Sequence, residues 1–273
     1  MIEKTWRIPG GKCIQMTEKS IHYMRPASSE EALALKEKFG EKAQLLFGGD
    51  FHPQLGEKVE ILIDLQDTSF DEVESGDRGL KFGGLITLGM MAETLDLTEF
   101  SAALSIEFGL NVRNSLSLSN FLANTNGRSP VLCCLLSLDA RVVTLKNHSE
   151  IPLSQYVMER VQDDPILYLF MDEPMGLAFE SVGRTPKDLP LVCVAVANKE
   201  NGATRVSVGG SEEFLPTFTL HKPGDNGQAE IKAALAGADD AWASKEYRQE
   251  VGAVLLSRAL QKLHSQAGNQ EAK

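Results

Sequence analysis

The chain has 273 residues, of which 42% are hydrophobic and 24% are charged, and its formal net charge is −11 at pH 7. This composition excludes an intrinsically disordered chain, and the acidic charge argues against a nonspecific nucleic-acid binder, which would carry basic surfaces. The length favours two domains. Because the sequence contains neither a signal-peptide core nor an apolar run long enough to span a bilayer, we expect a soluble cytoplasmic protein.

The cysteines and histidines give no pattern of metal ligation. The sequence has four cysteines without a C-x-x-C spacing, and its five histidines are scattered. We therefore predict neither a zinc site nor an iron–sulfur site on this chain, and we expect the cysteines to be buried free thiols. No arrangement of serine, cysteine and histidine indicates nucleophilic catalysis, so no catalytic residue is predicted.

The first half of the sequence predicts alternating strands and helices. Residues 1–20 lack periodicity and are predicted to be an N-terminal extension with a short strand at residues 12–16. Ser28 and Glu31 form a capping box at the start of a helix, which ends before Gly40. The further elements of this half are predicted as a helix at residues 29–39, strands at 43–47, 59–65 and 80–85, and helices at 87–93 and 98–110.

The stretch Gly48-Gly49-Asp50 directly follows the predicted strand at residues 43–47. Two adjacent glycines allow a sharp turn, and they let backbone N–H groups approach a ligand without interference from Cβ atoms. Such a turn is suited to a pyrophosphate. Gly-Gly-Asp is also ordinary turn chemistry, so a plain turn is the alternative.

Residues 115–121 alternate small polar with apolar side chains. Because a period of two is typical of extended chain, we expect either a turn of a β-solenoid-like sheet or a strand whose polar face contacts a ligand. Ser129 and Pro130 then begin a buried helix at residues 131–138. A strand at residues 140–145 and a short helix from residue 151 follow.

The second half of the sequence changes to a strand-rich pattern that ends in helices. Asn201 and Gly202 lie between two apolar runs and predict a β-hairpin. Strands are predicted at residues 167–171, 177–182, 191–197, 203–209 and 215–220, and helices at 229–235 and 244–264. This half therefore predicts an antiparallel sheet with helices on one face, and the chain as a whole is predicted to be an α+β protein.

The order and spacing of these motifs resemble the FAD-binding (medium) subunit of the molybdenum hydroxylases. This group contains xanthine dehydrogenase, carbon monoxide dehydrogenase and 4-hydroxybenzoyl-CoA reductase. The resemblance covers nearly the whole chain after residue 21. It rests on Tyr23, Arg25 and Pro26 before the Ser-Glu-Glu-Ala helix, on Gly48-Gly49, on residues 62–65, 80–88, 112–114 and 135–140, on Arg184 with residues 188–192, and on Tyr247-Arg248.

The resemblance implies a two-part FAD-binding domain of the vanillyl-alcohol oxidase type, followed by a smaller α+β domain. The implied division is an N-terminal extension at residues 1–20, an FAD-binding domain at 21–165 with parts at about 21–55 and 56–165, and a C-terminal domain at 166–273. In the family, FAD lies between the two parts of the FAD-binding domain. Two glycine-containing loops hold its pyrophosphate.

The resemblance also assigns candidate cofactor-binding residues. The first loop corresponds to Phe47, Gly48, Gly49, Asp50 and Phe51. The second loop follows Arg113 and corresponds to Ser117, Leu118, Ser119 and Asn120. Arg113 is predicted either to contact the cofactor or to clamp its own loop, and residues 117–120 either to contact phosphate or to form a solvated sheet face.

The second loop departs from the family pattern. The family has Thr-Ile-Gly-Gly-Asn there; Ser117 stands for the threonine and Asn120 for the asparagine, while Ser119 replaces one glycine and the other glycine is missing. Each added Cβ obstructs close backbone approach to a ligand. The acid that usually follows is also absent, and we predict that Arg128 supplies positive charge to the pyrophosphate instead.

As a function, the resemblance implies an FAD-dependent oxidoreductase subunit. It would take electrons from a partner iron–sulfur subunit, which receives them from a molybdopterin-binding subunit, and pass them to NAD or another acceptor. The iron–sulfur clusters and the molybdopterin would lie on those partners. The altered second loop motivates an alternative, a flavin-free structural or assembly subunit that retains the fold. A free-standing flavin oxidoreductase is a third possibility.

Overall fold

The computed structural model describes residues 21–48, 58–76, 79–159, 164–186, 188–212, 216–221 and 224–270. The predicted strand at residues 12–16 lies outside these ranges. The chain divides into two compact units, one formed by Met1–Leu46 and Phe51–Thr68 and the other by Phe47–Asp50 and Ser69–Lys273. The domain boundaries expected from the sequence stay a prediction.

The first unit contains a three-stranded parallel sheet with the order β1-β3-β2. Its strands are β1 (His22–Met24), β2 (Ala43–Leu46) and β3 (Ile61–Asp64). Helix α1 (Ser29–Phe39) and the short 3-10 turn Gly40–Lys42 connect β1 to β2. The strand β3 is buried along its whole length because it lies between the other two, and this position explains the apolar run at residues 61–63.

Helix α1 begins with the predicted capping box. The Glu31 N–H donates to the Ser28 hydroxyl at 3.2 Å, and the Glu31 carboxylate accepts the N–H of Ala27 at 2.9 Å. The helix ends at Gly40, whose φ of 53° lies in the left-handed region that favours glycine. The bounds predicted for this helix are confirmed.

The second unit contains a five-stranded antiparallel sheet with the order β4-β5-β8-β6-β7. Its strands are β4 (Val73–Gly76), β5 (Gly79–Gly83), β6 (Arg141–Thr144), β7 (Ile151–Pro152) and β8 (Ile166–Met171). Its helices are α2 (Leu88–Leu95), α3 (Thr98–Glu107), α4 (Leu110–Arg113), α5 (Leu118–Asn124), α6 (Pro130–Ser137) and α7 (Leu153–Glu159). Apolar side chains of these strands and helices form one buried core.

A four-stranded antiparallel sheet with the order β12-β11-β10-β9 completes the second unit. Its strands are β9 (Leu177–Val182), β10 (Val192–Asn198), β11 (Thr204–Gly209) and β12 (Thr217–Leu220). Helices α8 (Gln228–Ala234) and α9 (Lys245–Gln270) bury one face of this sheet. The other face is also covered, since Cys193 and Ala195 of β10 belong to the same core as α6.

The prediction of extended chain at residues 115–121 is wrong. These residues form the end of one helical turn and the start of α5. Ser117 is the N-cap of α5, where its hydroxyl accepts the N–H of Asn120 at 3.2 Å. Leu116 and Leu118 are buried on either side of this cap. The alternation of serine and leucine therefore reflects capping and burial rather than a strand.

No helix in the described part of the chain combines the length and the apolar composition needed to cross a membrane.

Glu107 at the end of α3 lies against the start of α6. Its carboxylate accepts hydrogen bonds from the Ser129 hydroxyl at 2.6 Å and from the Val131 N–H at 3.3 Å. Burial raises the pKa of Glu107 to about 7 from an ordinary value of 4.5, although both hydrogen bonds act in the opposite direction. The folded state therefore favours the protonated form, and this contribution to stability is lost as the pH rises through 7.

We expect Glu107→Gln to remove this pH dependence. The difference in free energy of unfolding between wild type and variant should change, in favour of the variant, by on the order of 2 kcal/mol between pH 4.5 and pH 8. Urea unfolding across this pH range measures it, with the exposed Glu93→Gln as control. A difference that stays constant with pH would show that Glu107 titrates normally.

Candidate functional site

The candidate site begins at the turn that follows β2, where Phe47 and Gly48 leave the strand. Gly48 has a φ of 92°, in the left-handed region that L side chains rarely adopt. A Cβ added to Gly48 would lie 3.1 Å from the Cβ and 3.3 Å from the Oγ of Ser117. This position therefore needs glycine for two reasons, its conformation and the close approach of another segment. Gly49, Asp50 and Phe51 of the predicted first loop lie outside the described residues.

Ser117 links this turn to the beginning of α5. Its hydroxyl donates to the carbonyl oxygen of Phe47, and it accepts the N–H of Asn120 at 3.2 Å. The side chain is buried, with 2% of the residue exposed. The structure thus brings together the two stretches that the sequence predicts as pyrophosphate loops, through Phe47, Gly48 and Ser117.

The backbone N–H groups of residues 118–120 all donate within the chain. Their acceptors are the carbonyl oxygen of Ile86 at 2.9 Å, the carbonyl oxygen of Gly84 at 2.8 Å and the hydroxyl of Ser117 at 3.2 Å, in chain order. A phosphate at a helix start is normally held by N–H groups that have no partner in the protein. These three donors are already committed.

The side chains of this stretch are also engaged. Leu118 is fully buried in the core. The Ser119 hydroxyl accepts the N–H of Ile166 at 3.0 Å, and the Asn120 side-chain oxygen accepts a hydrogen bond from the Asn124 amide at 2.6 Å. Ser119 and Asn120 are 1% and 8% exposed, which is inconsistent with a solvated sheet face.

The second glycine pair, Gly83 and Gly84, serves close backbone packing. A Cβ at Gly83 would lie 2.2 Å from the carbonyl oxygen of Phe70, and one at Gly84 would lie 2.0 Å from that of Ile166. Thr87 accepts the Met90 N–H at 3.2 Å and so caps α2. The glycines and the threonine therefore have a structural role as a tight turn and a helix cap.

Arg113 is the last residue of α4, and its side chain contacts α3. Its Nη1 donates to the hydroxyl of Ser105 at 3.0 Å. Its Nε is buried and has no hydrogen-bond partner among the described residues. Of the two roles predicted for Arg113, the observed contact corresponds to the clamp.

Arg128 lies in an aromatic and backbone environment that the sequence did not suggest. The residue is 8% exposed, its Nη2 donates to the carbonyl oxygen of Leu189 at 3.1 Å, and its Cζ lies 4.4 Å from the centre of the Trp242 ring. Arg184 lies over the same ring at 4.8 Å. These partners are more than 50 residues away in sequence, so no local pattern could reveal the cluster.

These observations test the fit of an FAD pyrophosphate to the residues present. The positive φ of Gly48 directly after a strand is compatible with an anion-binding turn, in which successive backbone N–H groups face one ligand. The stretch at residues 117–120 offers no uncommitted donor among its three helical N–H groups and the Ser117 hydroxyl. The described residues therefore fit the cofactor at the first loop, whereas at the second only the Ser119 hydroxyl and the Asn120 amide keep protons to donate.

Comparisons with known proteins agree with the sequence motifs. A family model described as the FAD binding domain in molybdopterin dehydrogenase matches residues 18–165. The uncharacterized protein YgfM of Escherichia coli strain K12 is 25% identical over 251 residues, which cover 86% of this chain and 93% of YgfM.

Solved structures share the fold. A chain of quinoline 2-oxidoreductase from Pseudomonas putida 86 aligns with 92% of this chain and 99% of its own length, at a TM-score of 0.71 and 18% identity. A chain of carbon monoxide dehydrogenase from Hydrogenophaga pseudoflava gives the same coverage, a TM-score of 0.69 and 17% identity. The corresponding values for reconstituted CO dehydrogenase from Oligotropha carboxidovorans are 0.65 and 18%. The predicted α+β fold class is confirmed.

The family match extends over more than half of the sequence and includes both stretches that the sequence predicts as pyrophosphate loops. The FAD assignment is confirmed at the level of the family. The chain belongs to the family of FAD-binding domains of molybdopterin dehydrogenases.

Proposed function

We propose that this chain is the flavoprotein subunit of a molybdenum hydroxylase complex, relaying electrons from a partner iron–sulfur subunit to NAD or another acceptor. The observation that carries the proposal is the match of the whole fold: 92% of the chain aligns with 99% of single chains from quinoline 2-oxidoreductase and carbon monoxide dehydrogenase. Bound FAD supplies reversible one- and two-electron transfer, and the protein supplies binding and orientation.

In this proposal the turn at residues 47–51 binds the pyrophosphate. Gly48 supports the assignment, since its backbone has the positive φ of an anion-binding turn and carries no side chain. Arg113 and Arg128 are held by the protein itself, through Ser105 and through Leu189 with Trp242, and the buried Nε of each has no hydrogen-bond partner among the described residues.

The iron–sulfur clusters and the molybdopterin are assigned to partner subunits. The solved carbon monoxide dehydrogenase of Hydrogenophaga pseudoflava is a form that lacks the Mo-pyranopterin moiety of the molybdenum cofactor. The four cysteines of this chain have no iron–sulfur spacing, and in the described ranges no group of three or more metal-ligating side chains is close enough to hold an ion. We place the complex in the cytoplasm and take residues 21–165 as its FAD-binding domain and 166–273 as the following domain.

Purification of the tagged chain from its own host at native expression tests this assembly. We expect co-purifying subunits together with flavin, iron and molybdenum, and bleaching of the flavin bands when NADH is added without oxygen if NAD is the acceptor. The same tag on an unrelated cytoplasmic protein is the control. A chain that is purified without partners and without iron or molybdenum would contradict the proposal.

The second candidate function is a flavin-free structural or assembly subunit. The observation that favours it is the engagement of the N–H groups of residues 118–120 within the chain. The same purification distinguishes the two functions. Partner subunits with iron and molybdenum but without flavin would support the assembly role, whereas a flavin-containing complex supports the electron relay.

A further inference from the structure

We propose that Ser117 is a positioning residue, which orients the Gly48 N–H toward the FAD pyrophosphate instead of contacting the phosphate itself. This inference rests on the proposed function, because it assumes that the turn at residues 47–51 binds FAD. It assigns to the second of the two loop stretches a role different from that of a phosphate ligand.

The hydrogen-bonding capacity of the Ser117 hydroxyl is the first argument. A serine hydroxyl has a single proton to donate. Ser117 donates that proton to the carbonyl oxygen of Phe47, and it accepts the N–H of Asn120 at 3.2 Å. No proton is left for a phosphate oxygen. With 2% of the residue exposed, Ser117 also has little contact with solvent or ligand.

The geometry of the peptide bond is the second argument. In a planar trans peptide, the carbonyl oxygen and the following N–H point in opposite directions. When the Ser117 hydroxyl holds the Phe47 carbonyl, it also fixes the direction of the Gly48 N–H, which points away from Ser117. The bond therefore prepares one backbone donor of the turn for an anion before the anion binds.

The rigidity of the segment around Ser117 is the third argument. Its two neighbours are hydrogen-bonded to the start of α2 and to the chain just before it. The Leu88 N–H donates to the Leu116 carbonyl at 3.1 Å, and the Leu118 N–H donates to the Ile86 carbonyl at 2.9 Å. Ser117 is thus fixed on both sides. A hydroxyl held in this way fixes the more exposed turn to a rigid part of the core.

The test measures amide hydrogen exchange in peptides covering residues 43–50 of the full-length protein without FAD, and FAD affinity by titration. The variants are Ser117→Ala, which removes the hydroxyl, Ser117→Cys, which keeps its approximate size but donates weakly, and Ser117→Thr, which restores the hydroxyl and is the family's residue. Ser28→Ala is the matched control, because it removes a helix cap of the same kind from α1.

We expect Ser117→Ala and Ser117→Cys to speed exchange at residues 43–50 and to weaken FAD binding, each roughly two- to tenfold. Ser117→Thr and Ser28→Ala should match wild type in both measurements. If Ser117→Ala does not fold, the hydrogen exchange and FAD affinity of Ser117→Cys decide whether Ser117 positions the turn.

The positioning role would be overturned if hydrogen exchange at residues 43–50 in Ser117→Ala and Ser117→Cys equals that in Ser28→Ala. Wild-type protein that takes up no FAD would instead contradict the proposed function. In that case hydrogen exchange still decides whether Ser117 holds the turn.

Discussion

Gly48→Val is expected to abolish retention of FAD by the purified protein. Valine at a φ of 92° is strained, and its Cβ would lie 3.1 Å from the Cβ of Ser117. Relief of this contact and of the strained φ shifts the turn relative to Ser117, and we expect the shift to weaken the hydrogen bond to the Phe47 carbonyl and to misdirect the Gly48 N–H. We expect FAD affinity to fall by at least about a hundredfold, while the free energy of unfolding falls by roughly 1–3 kcal/mol.

The control for Gly48→Val separates backbone strain from the site. Gly202 also has a positive φ, of 77°, and a Cβ added there meets no atom within 4 Å. Gly202→Val should therefore cost similar backbone strain and leave FAD binding unchanged. The flavin-to-protein ratio after desalting, with a fluorescence titration, measures both variants. A Gly48→Val protein with wild-type flavin content would rule out the first loop as the pyrophosphate site.

Arg248→Met is expected to cause the largest loss of stability. The Arg248 side chain is fully buried, and its guanidinium donates to both carboxylate oxygens of Asp240 at 2.9 Å. It also donates to four backbone carbonyl oxygens, those of Leu191, Ala238, Ala243 and Gly210 at 2.7–3.1 Å. Removing the guanidinium leaves these acceptors without their donor, which costs about 3–5 kcal/mol.

Urea and thermal unfolding measure this effect, and the melting temperature should fall on the order of 10 °C. Arg258→Met is the control, since Arg258 lies on the same helix, α9, and is exposed. Burial alone would raise the pKa of Asp240, but the hydrogen bonds from Arg248, Trp242 and Ala243 outweigh burial and lower it below 3.8.

The ion pair thus stabilises the fold above the ordinary pKa of 3.8, and its contribution is lost as the pH falls through the lowered pKa. The stability difference between wild type and Arg248→Met should narrow in that range. Equal stability of the two proteins at neutral pH would contradict the role assigned to Arg248.

The sequence predicts best where structure is decided locally. The bounds of α1 follow from Ser28, Glu31 and Gly40, which act within a few residues of one another. The prediction of extended chain at residues 115–121 is wrong because the same alternating serines fit both a strand pattern and a helix cap. Only the acceptors of the backbone N–H groups distinguish the helix cap from a strand. For residues 118 and 119 these acceptors are the carbonyl oxygens of Ile86 and Gly84, about 30 residues earlier in the chain.

The candidate site shows the same limit. The motifs identify Gly48 and Ser117 as members of two loops, since glycine and hydroxyl residues have recognisable positions in the family pattern. The hydrogen bond between Ser117 and Phe47 joins residues 70 positions apart, and the stacking of Arg128 on Trp242 spans a longer separation. Contacts of this kind depend on how the whole chain folds, so local spacing cannot predict them.

The most direct test of the central claim is the visible absorption spectrum of the purified chain after incubation with FAD and removal of free cofactor. We predict the two absorption bands of oxidised flavin, with close to one FAD bound per chain. A protein that stays colourless after this treatment, while folded by circular dichroism, would contradict the assignment of the chain as a flavoprotein subunit.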